Sequence, residues 1–170
     1  MPHLSPVAPC DFLVFGGTGD LAMRKLLPAL YLRDRDGQLP EETRIFSISR
    51  AGLDDAGFRD KVVSELARHV GETADVGRFL QRLHHVSLDV MAETDWSALT
   101  TALGDPERIR VFYLACAPRL FGPISARAAA NGLVDATSRV VLEKPIGHDL
   151  ASAKAINDEV GAVFTEEQIF

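Results

Sequence analysis

A glycine-rich turn decides the fold of this chain: Phe15-Gly16-Gly17-Thr18-Gly19-Asp20-Leu21-Ala22. The apolar run 12–15 precedes it and predicts a buried strand of a parallel sheet. Apolar side chains at helical spacing follow it and predict a helix from Leu21 to Arg35. A strand that turns directly into a helix leaves the first helical N–H groups unpaired. Together with the helix dipole, these groups form a site for an anionic phosphate.

The turn fits two registers of a dinucleotide-binding fingerprint. One is Gly17-x-Gly19-x-x-Ala22, and the other is Gly16-x-x-Gly19-x-x-Ala22. Both use Gly19, and we expect the missing Cβ atoms to let a pyrophosphate approach the backbone. Glycine-rich turns also cap ordinary helices. Here the strand before the turn, the helix after it and a second strand at the proper distance favour nucleotide binding.

Length and composition restrict the classes of protein to consider. The chain has 170 residues, of which 46% are hydrophobic, enough for one α/β domain with its own core. The formal net charge is −6, and Lys and Arg form no basic run, which argues against a nucleic-acid partner. No apolar stretch approaches the roughly 20 residues of a membrane helix. We expect neither nucleic acid nor membrane as a partner.

The termini and the cysteines carry no signal for secretion or for a metal. Residues 1–10 contain three prolines and no basic segment, so they predict a flexible lead-in and no signal peptide. The domain proper then runs over residues 11–170. Cys10 and Cys116 each lie beside an apolar strand and are not spaced as a metal pair. They predict buried, reduced thiols in a cytoplasmic protein.

Strand and helix patterns alternate along the whole chain. Beyond the first pair, strands are predicted at 44–49, 84–89, 109–116 and 139–142, and helices at 55–67, 75–83, 96–103, 120–131 and 149–160. Pro28 is expected to kink the first helix, and Gln168-Ile169-Phe170 resembles the start of a further strand. This order predicts an α/β fold with a doubly wound, Rossmann-like parallel sheet, a single coenzyme-binding domain. Its ligand would bind at the carboxyl ends of the strands.

The residue after the second strand indicates which dinucleotide is bound. In NAD-binding domains, an acid at this place accepts hydrogen bonds from the ribose 2′-hydroxyl. Here the strand ends in Ser49 and Arg50. A guanidinium is always charged and pairs with a 2′-phosphate, which an acid would repel. Arg50 therefore favours NADP, although a surface arginine solvated after a strand is the plain alternative.

Two further strand ends carry candidate ligand-binding residues. Small residues at Ala115 to Pro118 follow the fourth strand, where they would let a flat ring or a ribose approach, or simply form a tight turn. The fifth strand runs into Glu143-Lys144-Pro145-Ile146-Gly147, where proline stops the ladder and presents Lys144 at the mouth. A lysine there can pair with a phosphate or bond a sugar hydroxyl, or it can be a solvated loop residue.

No catalytic set can be assembled from the histidines. His84 and His85 point to opposite faces of a strand and have no partner ligands, and His148 is more typical of a solvent-facing helix start than of a base. Tyr31 and Tyr113 lack a lysine four residues on, so the acid/base pair of short-chain dehydrogenases is missing.

The combination of motifs resembles the glucose-6-phosphate dehydrogenase family. The residues that carry the resemblance are 16–25 (GGTGDLAMRK), Arg50, 115–118, 143–147 (EKPIG) and 166–170 (EEQIF). It extends from about Phe12 to Phe170. Met23 and Ile146 depart from the residues common in the family.

The resemblance implies a role for each matched position. Gly16, Gly17, Thr18, Gly19, Asp20, Leu21 and Ala22 would hold the NADP pyrophosphate, and Arg50 the 2′-phosphate. Asp89 and Val90 would lie near the adenosine. Ala115 and Lys144 would face the nicotinamide, with Lys144 shared between the coenzyme and glucose 6-phosphate. It also implies a cis bond before Pro145.

The resemblance further implies an activity that this chain would not perform alone. The family oxidises glucose 6-phosphate to 6-phosphogluconolactone, the first step of the pentose phosphate pathway, with hydride transfer to NADP. Its catalytic histidine and most sugar contacts would lie beyond Phe170, in a substrate domain. We therefore expect no catalytic residue here, no oxidation of sugar by the fragment, glucose 6-phosphate as a partner only with that domain, and self-association through the sheet edge at Ile169-Phe170.

Two alternatives stay open on sequence alone. The chain could be the coenzyme domain of another NADP-dependent sugar oxidoreductase with an EKP motif, although such proteins commonly lack the Gly19-Asp20-Leu21-Ala22 element. It could also be a complete, non-catalytic NADP-sensing module.

Overall fold

The computed structural model describes residues 8–71, 76–92, 96–105 and 107–170. The strands are β1 (Cys10–Phe15), β2 (Arg44–Ser49), β3 (Leu83–Ser87), β4 (Ile109–Leu114) and β5 (Arg139–Leu142). The α-helices are α1 (Leu27–Arg35), α2 (Asp55–His69), α3 (Gly77–Gln81), α4 (Ser97–Leu103), α5 (Phe121–Ala130) and α6 (Leu150–Gly161). Residues 1–7 of the predicted lead-in lie outside the described residues, and β1 begins at Cys10, where the lead-in was expected to end.

The strands form one five-stranded parallel sheet in the order β3-β2-β1-β4-β5. This confirms the predicted doubly wound, Rossmann-like fold. Beside β5, Ile169 forms a parallel bridge with Val140, and the Phe170 N–H donates to the Val140 carbonyl at 2.9 Å. Of the predicted sixth strand, the structure has a single isolated bridge at Ile169, because Gln168 belongs to a 3-10 turn over Glu166–Gln168.

Small differences separate the predicted and observed bounds. β3 ends at Ser87 where Asp89 was expected, and β4 ends at Leu114 where Cys116 was expected. The early end of β4 has a local cause, since the Ala115 N–H turns back to the Tyr113 carbonyl at 3.2 Å. The helix predicted from Asp75 is α3, and Asp75 itself lies outside the described residues.

Two apolar cores cover the two faces of the sheet. In β1, Val14 faces α1, α2 and α3, while Leu13 and Phe15 face α4, α5 and α6. This alternation follows from the two-residue period of a strand, which sends successive side chains to opposite faces. β1 is central and apolar on both faces, so its carboxyl end is held rigidly at the middle of the molecule. Within the described residues, no helix is long and apolar enough to cross a bilayer.

The first helix is irregular where Pro28 was expected to disturb it. Residues Ala22–Leu26 form a π-helical turn, in which the Leu27 N–H donates to the Ala22 carbonyl, and α1 then continues with Pro28 near its start. Proline has no N–H to give to the preceding turn. A π turn ahead of it accommodates that loss and widens the helix directly after the glycine-rich turn. The disturbance is therefore a change of helix type.

A buried carboxylate fixes the opposite, amino-terminal end of β1. Asp11 is fully buried and accepts hydrogen bonds from Arg44 Nε at 2.8 Å and from Arg108 Nε at 2.8 Å. The two guanidiniums, from β2 and from the approach to β4, bracket the central strand. This ion cluster lies at the end of the sheet away from the glycine-rich turn, so it orders the strands without occupying the ligand end.

Candidate functional site at the carboxyl end of the sheet

The glycines of the turn are required first by the packing of the protein itself. Gly16 has φ of +84°, and a Cβ there would lie 3.0 Å from the Ala115 carbonyl carbon at the end of β4. A Cβ on Gly17 would lie 2.8 Å from Cα of Ser47 in β2. We expected these glycines to make room for a pyrophosphate. Within the protein itself, Gly16 and Gly17 allow the turn to sit between its two neighbouring strands.

Gly19 is the glycine that faces the opening. It is exposed, and a Cβ there would meet only the Gly16 carbonyl oxygen, at 3.0 Å. The Gly19 N–H donates to that same oxygen at 2.9 Å and closes the turn. The backbone N–H groups of Thr18, Asp20 and Leu21 have no hydrogen-bond partner anywhere in the described chain. Unpaired amides at a helix start fit an anionic phosphate, as the sequence predicts.

The remaining residues of the motif contribute in different ways. Asp20 is exposed and pairs with Arg24 at 3.4 Å, one helical turn on. The Ala22 side chain is fully buried against the core that includes Val14, and Leu21 is half-buried. Ala22 therefore serves the close packing of helix on strand, and its methyl group does not point to the opening. This matches the role of the final Gly or Ala in such a fingerprint.

A serine at the end of β2 connects the glycine-rich turn to the residue chosen as the 2′-phosphate ligand. Ser49 Oγ accepts a hydrogen bond from Thr18 Oγ1 at 2.9 Å and another from the Ala51 N–H at 3.2 Å. Arg50 lies between Ser49 and Ala51 in the chain. It is exposed, and its guanidinium has no partner among the described residues. An unpaired cation is thus presented beside the unpaired amides.

Thr18, Ser49 and Arg50 line one cavity of about 680 Å³. We call it the switch-point cleft, because β1 is flanked there by β2 and β4. The cleft brings together six of the predicted site residues: Gly16, Thr18, Gly19, Arg50, Asp89 and Val90. The other predicted residues, Gly17, Asp20, Leu21, Ala22, Ala115 and Lys144, lie outside the described set that lines it. Its volume is in the range of small-molecule and cofactor sites.

Sequence reasoning did not assign several residues of the cleft. Met91, Arg119 and Leu120 line it, as does Cys116, which was predicted to be a buried thiol and one of the small residues after the fourth strand. The signal for Arg119 was available: it follows the carboxyl end of β4, the edge where ligands of such sheets bind. The half-buried Cys116 thiol has its pKa raised to about 12 by burial, and burial raises the pKa of Cys10 to about 11.

Lys144 sits at the end of β5, outside the switch-point cleft. It is exposed, its ammonium has no partner among the described residues, and the Lys144-Pro145 bond is cis. The preceding Glu143 accepts a hydrogen bond from the Tyr113 hydroxyl of β4. Burial, with the Glu143 carboxylate in addition, raises the pKa of Tyr113 well above its ordinary value. The phenol is therefore a fixed donor that ties β5 to β4 just before Lys144.

The described histidines are spread over the fold. His69 pairs with Glu65 at 3.3 Å, His84 with Asp55 at 3.2 Å, and exposed His148 with Asp149 at 3.5 Å. Asp149 caps α6, and the hydrogen bonds from the Ser152 N–H and hydroxyl hold the pKa of Asp149 below its usual value. Across the described ranges, no three His, Cys, Asp or Glu side chains are grouped as a metal site.

A larger cavity, of about 980 Å³, lies at the other end of the strands. Arg44, Arg82 and Arg108 line it, but their guanidiniums are committed to Asp11, to Asp34 and to backbone carbonyls. We favour the smaller switch-point cleft as the ligand site, because the guanidiniums of the larger cavity are already paired, whereas the Arg50 guanidinium of the cleft is unpaired.

Comparison with known proteins agrees with this geometry. The profile of the family described as glucose-6-phosphate dehydrogenase, NAD binding domain, matches residues 13–170. Glucose-6-phosphate 1-dehydrogenase of Mycolicibacterium smegmatis is 61% identical over 98% of this chain, and that of Rhizobium meliloti is 48% identical over 99%. The chain spans 35% of the length of each relative.

Solved structures of glucose-6-phosphate dehydrogenases also align with this chain. The crystal structure of glucose-6-phosphate 1-dehydrogenase from Mycobacterium avium aligns with a TM-score of 0.86 at 31% identity, covering 95% of this chain and 35% of that one. A glucose-6-phosphate dehydrogenase in complex with its substrate glucose-6-phosphate aligns with a TM-score of 0.80 at 28% identity, with the same coverage. The chain belongs to the glucose-6-phosphate dehydrogenase family and corresponds to its NAD-binding domain.

Proposed function

We propose that this chain binds NADP in the switch-point cleft, as the coenzyme domain of an enzyme that oxidises glucose 6-phosphate. The observation that carries the proposal is the presence, on one cleft, of Thr18 with its unpartnered backbone amide and of Arg50 with its unpartnered guanidinium. The unpartnered amides of Asp20 and Leu21 follow Thr18 in the same turn. A dinucleotide with a third phosphate on its ribose needs both the amides and the guanidinium. Gly16, Gly17 and Gly19 shape the turn, and Thr18, Asp20, Leu21 and Ala22 offer it their backbone.

Arg50 is proposed as the ligand of the 2′-phosphate. It extends from the end of β2, where an acid would bind the 2′-hydroxyl of NAD. Arg119 supplies a second positive charge on the same cleft. Two cations without an acid at the end of β2 favour the more negative coenzyme. The preference for NADP over NAD is therefore assigned chiefly to Arg50.

The other ends of the coenzyme are assigned by position. Asp89 and Val90 follow β3 and line the cleft, which supports a place beside the adenosine. Ala115 and Lys144, at the ends of β4 and β5, lie on the opposite side of β1, which supports the nicotinamide side. Lys144 presents a free ammonium there, and we assign it to both the coenzyme and glucose 6-phosphate.

NADP, when bound, supplies the hydride acceptor of the oxidation that gives 6-phosphogluconolactone. In this chain, the glycine-rich turn and Arg50 bind and orient the coenzyme, and Lys144 orients the sugar against it. The tie between Tyr113 and Glu143 holds the end of β5 that carries Lys144. We place the group that takes the proton from the sugar hydroxyl in the part of the relatives that this chain does not match.

Titration with both coenzymes tests the proposal. We expect Arg50→Ala to weaken NADP binding about tenfold to a hundredfold, the effect of losing a charge-assisted hydrogen bond, and to change NAD binding far less. Arg33→Ala is the matched control, because Arg33 is an exposed arginine of α1 bonded only to Gln38 in the hydrogen bonds described. Equal affinities of wild type and Arg50→Ala for NADP would contradict the assignment.

Two further assignments concern the setting of the chain. The free thiols of Cys10 and Cys116 support a reducing, cytoplasmic compartment. The short edge at Ile169-Phe170, with Phe170 67% exposed, supports self-association by strand pairing. Sedimentation at millimolar concentration tests the latter, and a purely monomeric profile would contradict it.

A further inference from the structure

His85 is a buried histidine that contacts Ala51, a residue lining the switch-point cleft, and the proposed function gives it no role. It lies in β3 and is 9% exposed. Its Nδ1 lies 3.1 Å from Ser47 Oγ, and its Nε2 lies 3.0 Å from the Ala51 carbonyl oxygen. The ring stacks on Phe58 of α2, with centroids 5.3 Å apart. Both ring nitrogens are therefore engaged.

The partners determine which nitrogen carries the proton in the neutral ring. A carbonyl oxygen only accepts, so Nε2 donates to Ala51, and Nδ1 accepts the hydroxyl proton of Ser47. The result is a directed chain of hydrogen bonds from Ser47 through His85 to Ala51. A phenylalanine would keep the ring contact with Phe58 but could make neither bond.

The two ends of this chain touch the two phosphate-binding segments. Ser47 is the residue whose backbone excludes a side chain at Gly17, so it supports the glycine-rich turn from below. Ala51 directly follows Arg50, and its carbonyl also closes a tight turn with the Leu53 N–H at 2.9 Å. Such a three-residue turn is weakly held by itself. His85 supplies the tertiary contact that fixes the peptide after Arg50.

We infer that His85 is a positioning residue that sets the direction of Arg50 and thereby the selectivity for a 2′-phosphorylated dinucleotide. The inference rests on the proposed role of Arg50. Ser49 holds the same turn from the side of the cleft, through Thr18 and the Ala51 N–H. With His85 beneath and Ser49 above, the peptide at Arg50 is fixed from both sides before any ligand arrives.

The adjacent histidine offers a matched control. His84 lies on the opposite face of β3, stacks on Phe46 with centroids 5.0 Å apart, and pairs with Asp55. Replacing it by phenylalanine removes a histidine from the same strand and keeps both ring contacts of His85. The Asp55 carboxylate that loses the His84 ring still accepts the His85 N–H at 2.7 Å. Nuclear magnetic resonance titrations of the 170-residue chain with NADP and with NAD, up to millimolar concentration, give both dissociation constants and their ratio.

We expect His85→Phe to lower the preference for NADP over NAD about fivefold to tenfold, the effect of one or two neutral hydrogen bonds, with NAD binding nearly unchanged. His85→Ala makes the same prediction without added bulk, should the larger ring not be accommodated. His85→Gln, which keeps an amide donor for Ala51, restores part of the preference, and His84→Phe keeps all of it. A merely structural histidine would weaken both coenzymes equally, and that result would overturn the inference.

Arg50→Ala separates the two ideas. If Arg50→Ala loses the preference while the His85 variants keep it, the positioning role is wrong and the proposed function stands. If Arg50→Ala itself keeps the preference, the assignment of the 2′-phosphate to Arg50 is wrong, and the inference falls with it.

Discussion

Gly17→Ala and Gly19→Ala should separate the two duties of the glycine-rich turn, the packing of the protein and the binding of phosphate. A methyl group at Gly17 would stand 2.8 Å from Ser47 Cα, whereas carbon atoms in contact are about 3.5 to 4.0 Å apart. β2 and the turn must therefore separate by about 1 Å. Overpacking of this kind costs about 1 to 3 kcal/mol.

The same displacement weakens a hydrogen bond. The Gly17 N–H donates to the Ile48 carbonyl at 3.3 Å, and its loss adds about 1 kcal/mol. The total for Gly17→Ala is about 2 to 4 kcal/mol. At about 2 to 4 °C per kcal/mol for a domain of this size, the melting temperature should fall by about 4 to 16 °C.

Gly19→Ala should give the opposite pattern. The new methyl group of Gly19→Ala contacts only the Gly16 carbonyl oxygen, at 3.0 Å, so the free energy of unfolding should change by less than about 1 kcal/mol. NADP binding should weaken by more than about tenfold, because the methyl group occupies the approach to the free amides. Gly161→Ala, in open space at the end of α6, is the control: it should leave NADP binding unchanged and raise the free energy of unfolding by no more than about 1 kcal/mol.

Thermal unfolding followed by circular dichroism, together with calorimetric titration of NADP, measures both effects. Two results would contradict these roles: a melting temperature of Gly17→Ala equal to that of wild type, or wild-type affinity of Gly19→Ala for NADP. Either result would mean that the turn is not wedged between β2 and β4, or that phosphate does not approach it at Gly19.

Three further predictions concern stability and reactivity. Asp11→Asn should lower the free energy of unfolding in urea by about 2 to 3 kcal/mol, since it leaves two partly buried guanidiniums without their carboxylate. The control is Asp36→Asn at an exposed ion pair, which should lower it by less than about 1 kcal/mol. Ser152 holds the pKa of Asp149 below its ordinary value, so this cap stabilises the fold above about pH 4 and loses its effect as the pH falls through the lowered pKa. Asp149→Ala should therefore lower the urea midpoint more at pH 7 than at pH 2, and an equal effect at the two pH values would contradict the role of the carboxylate. With its pKa raised to about 12, the Cys116 thiol should react with iodoacetamide at pH 8 at least about a hundredfold more slowly than in the urea-unfolded chain, as read by mass spectrometry; equal rates would mean that the thiol is not buried.

The parts of the fold that follow from local pattern were predictable from the sequence. Apolar runs and apolar residues at helical spacing identified the strands and helices, and their alternation implied a parallel sheet. Pro28 predicted an irregular first helix, but the sequence pattern could not distinguish a kink from a π turn. That choice depends on how the helix packs after the turn.

The site was predictable at its strand ends and less so between them. Gly19 and Arg50 could be identified because their chemistry follows from their place after β1 and β2. The packing of Gly17 against Ser47 could not be predicted, since it joins the turn to a different strand, which no local pattern reveals. His85 was passed over for the same reason: both of its partners, Ser47 and Ala51, are far away in sequence.

The hydroxyl of Ser49 has a consequence for attempts to redesign this protein. One oxygen atom joins Thr18 of the glycine-rich turn to Ala51, the neighbour of Arg50. The glycine-rich turn and the segment at Arg50 are therefore coupled through Ser49, and a shift of one segment should shift the other. If the proposed site is right, an NAD-preferring variant should be sought by exchanging the charge at position 50 with Ser49 kept, because loss of the Ser49 contacts would disturb both proposed phosphate-binding segments.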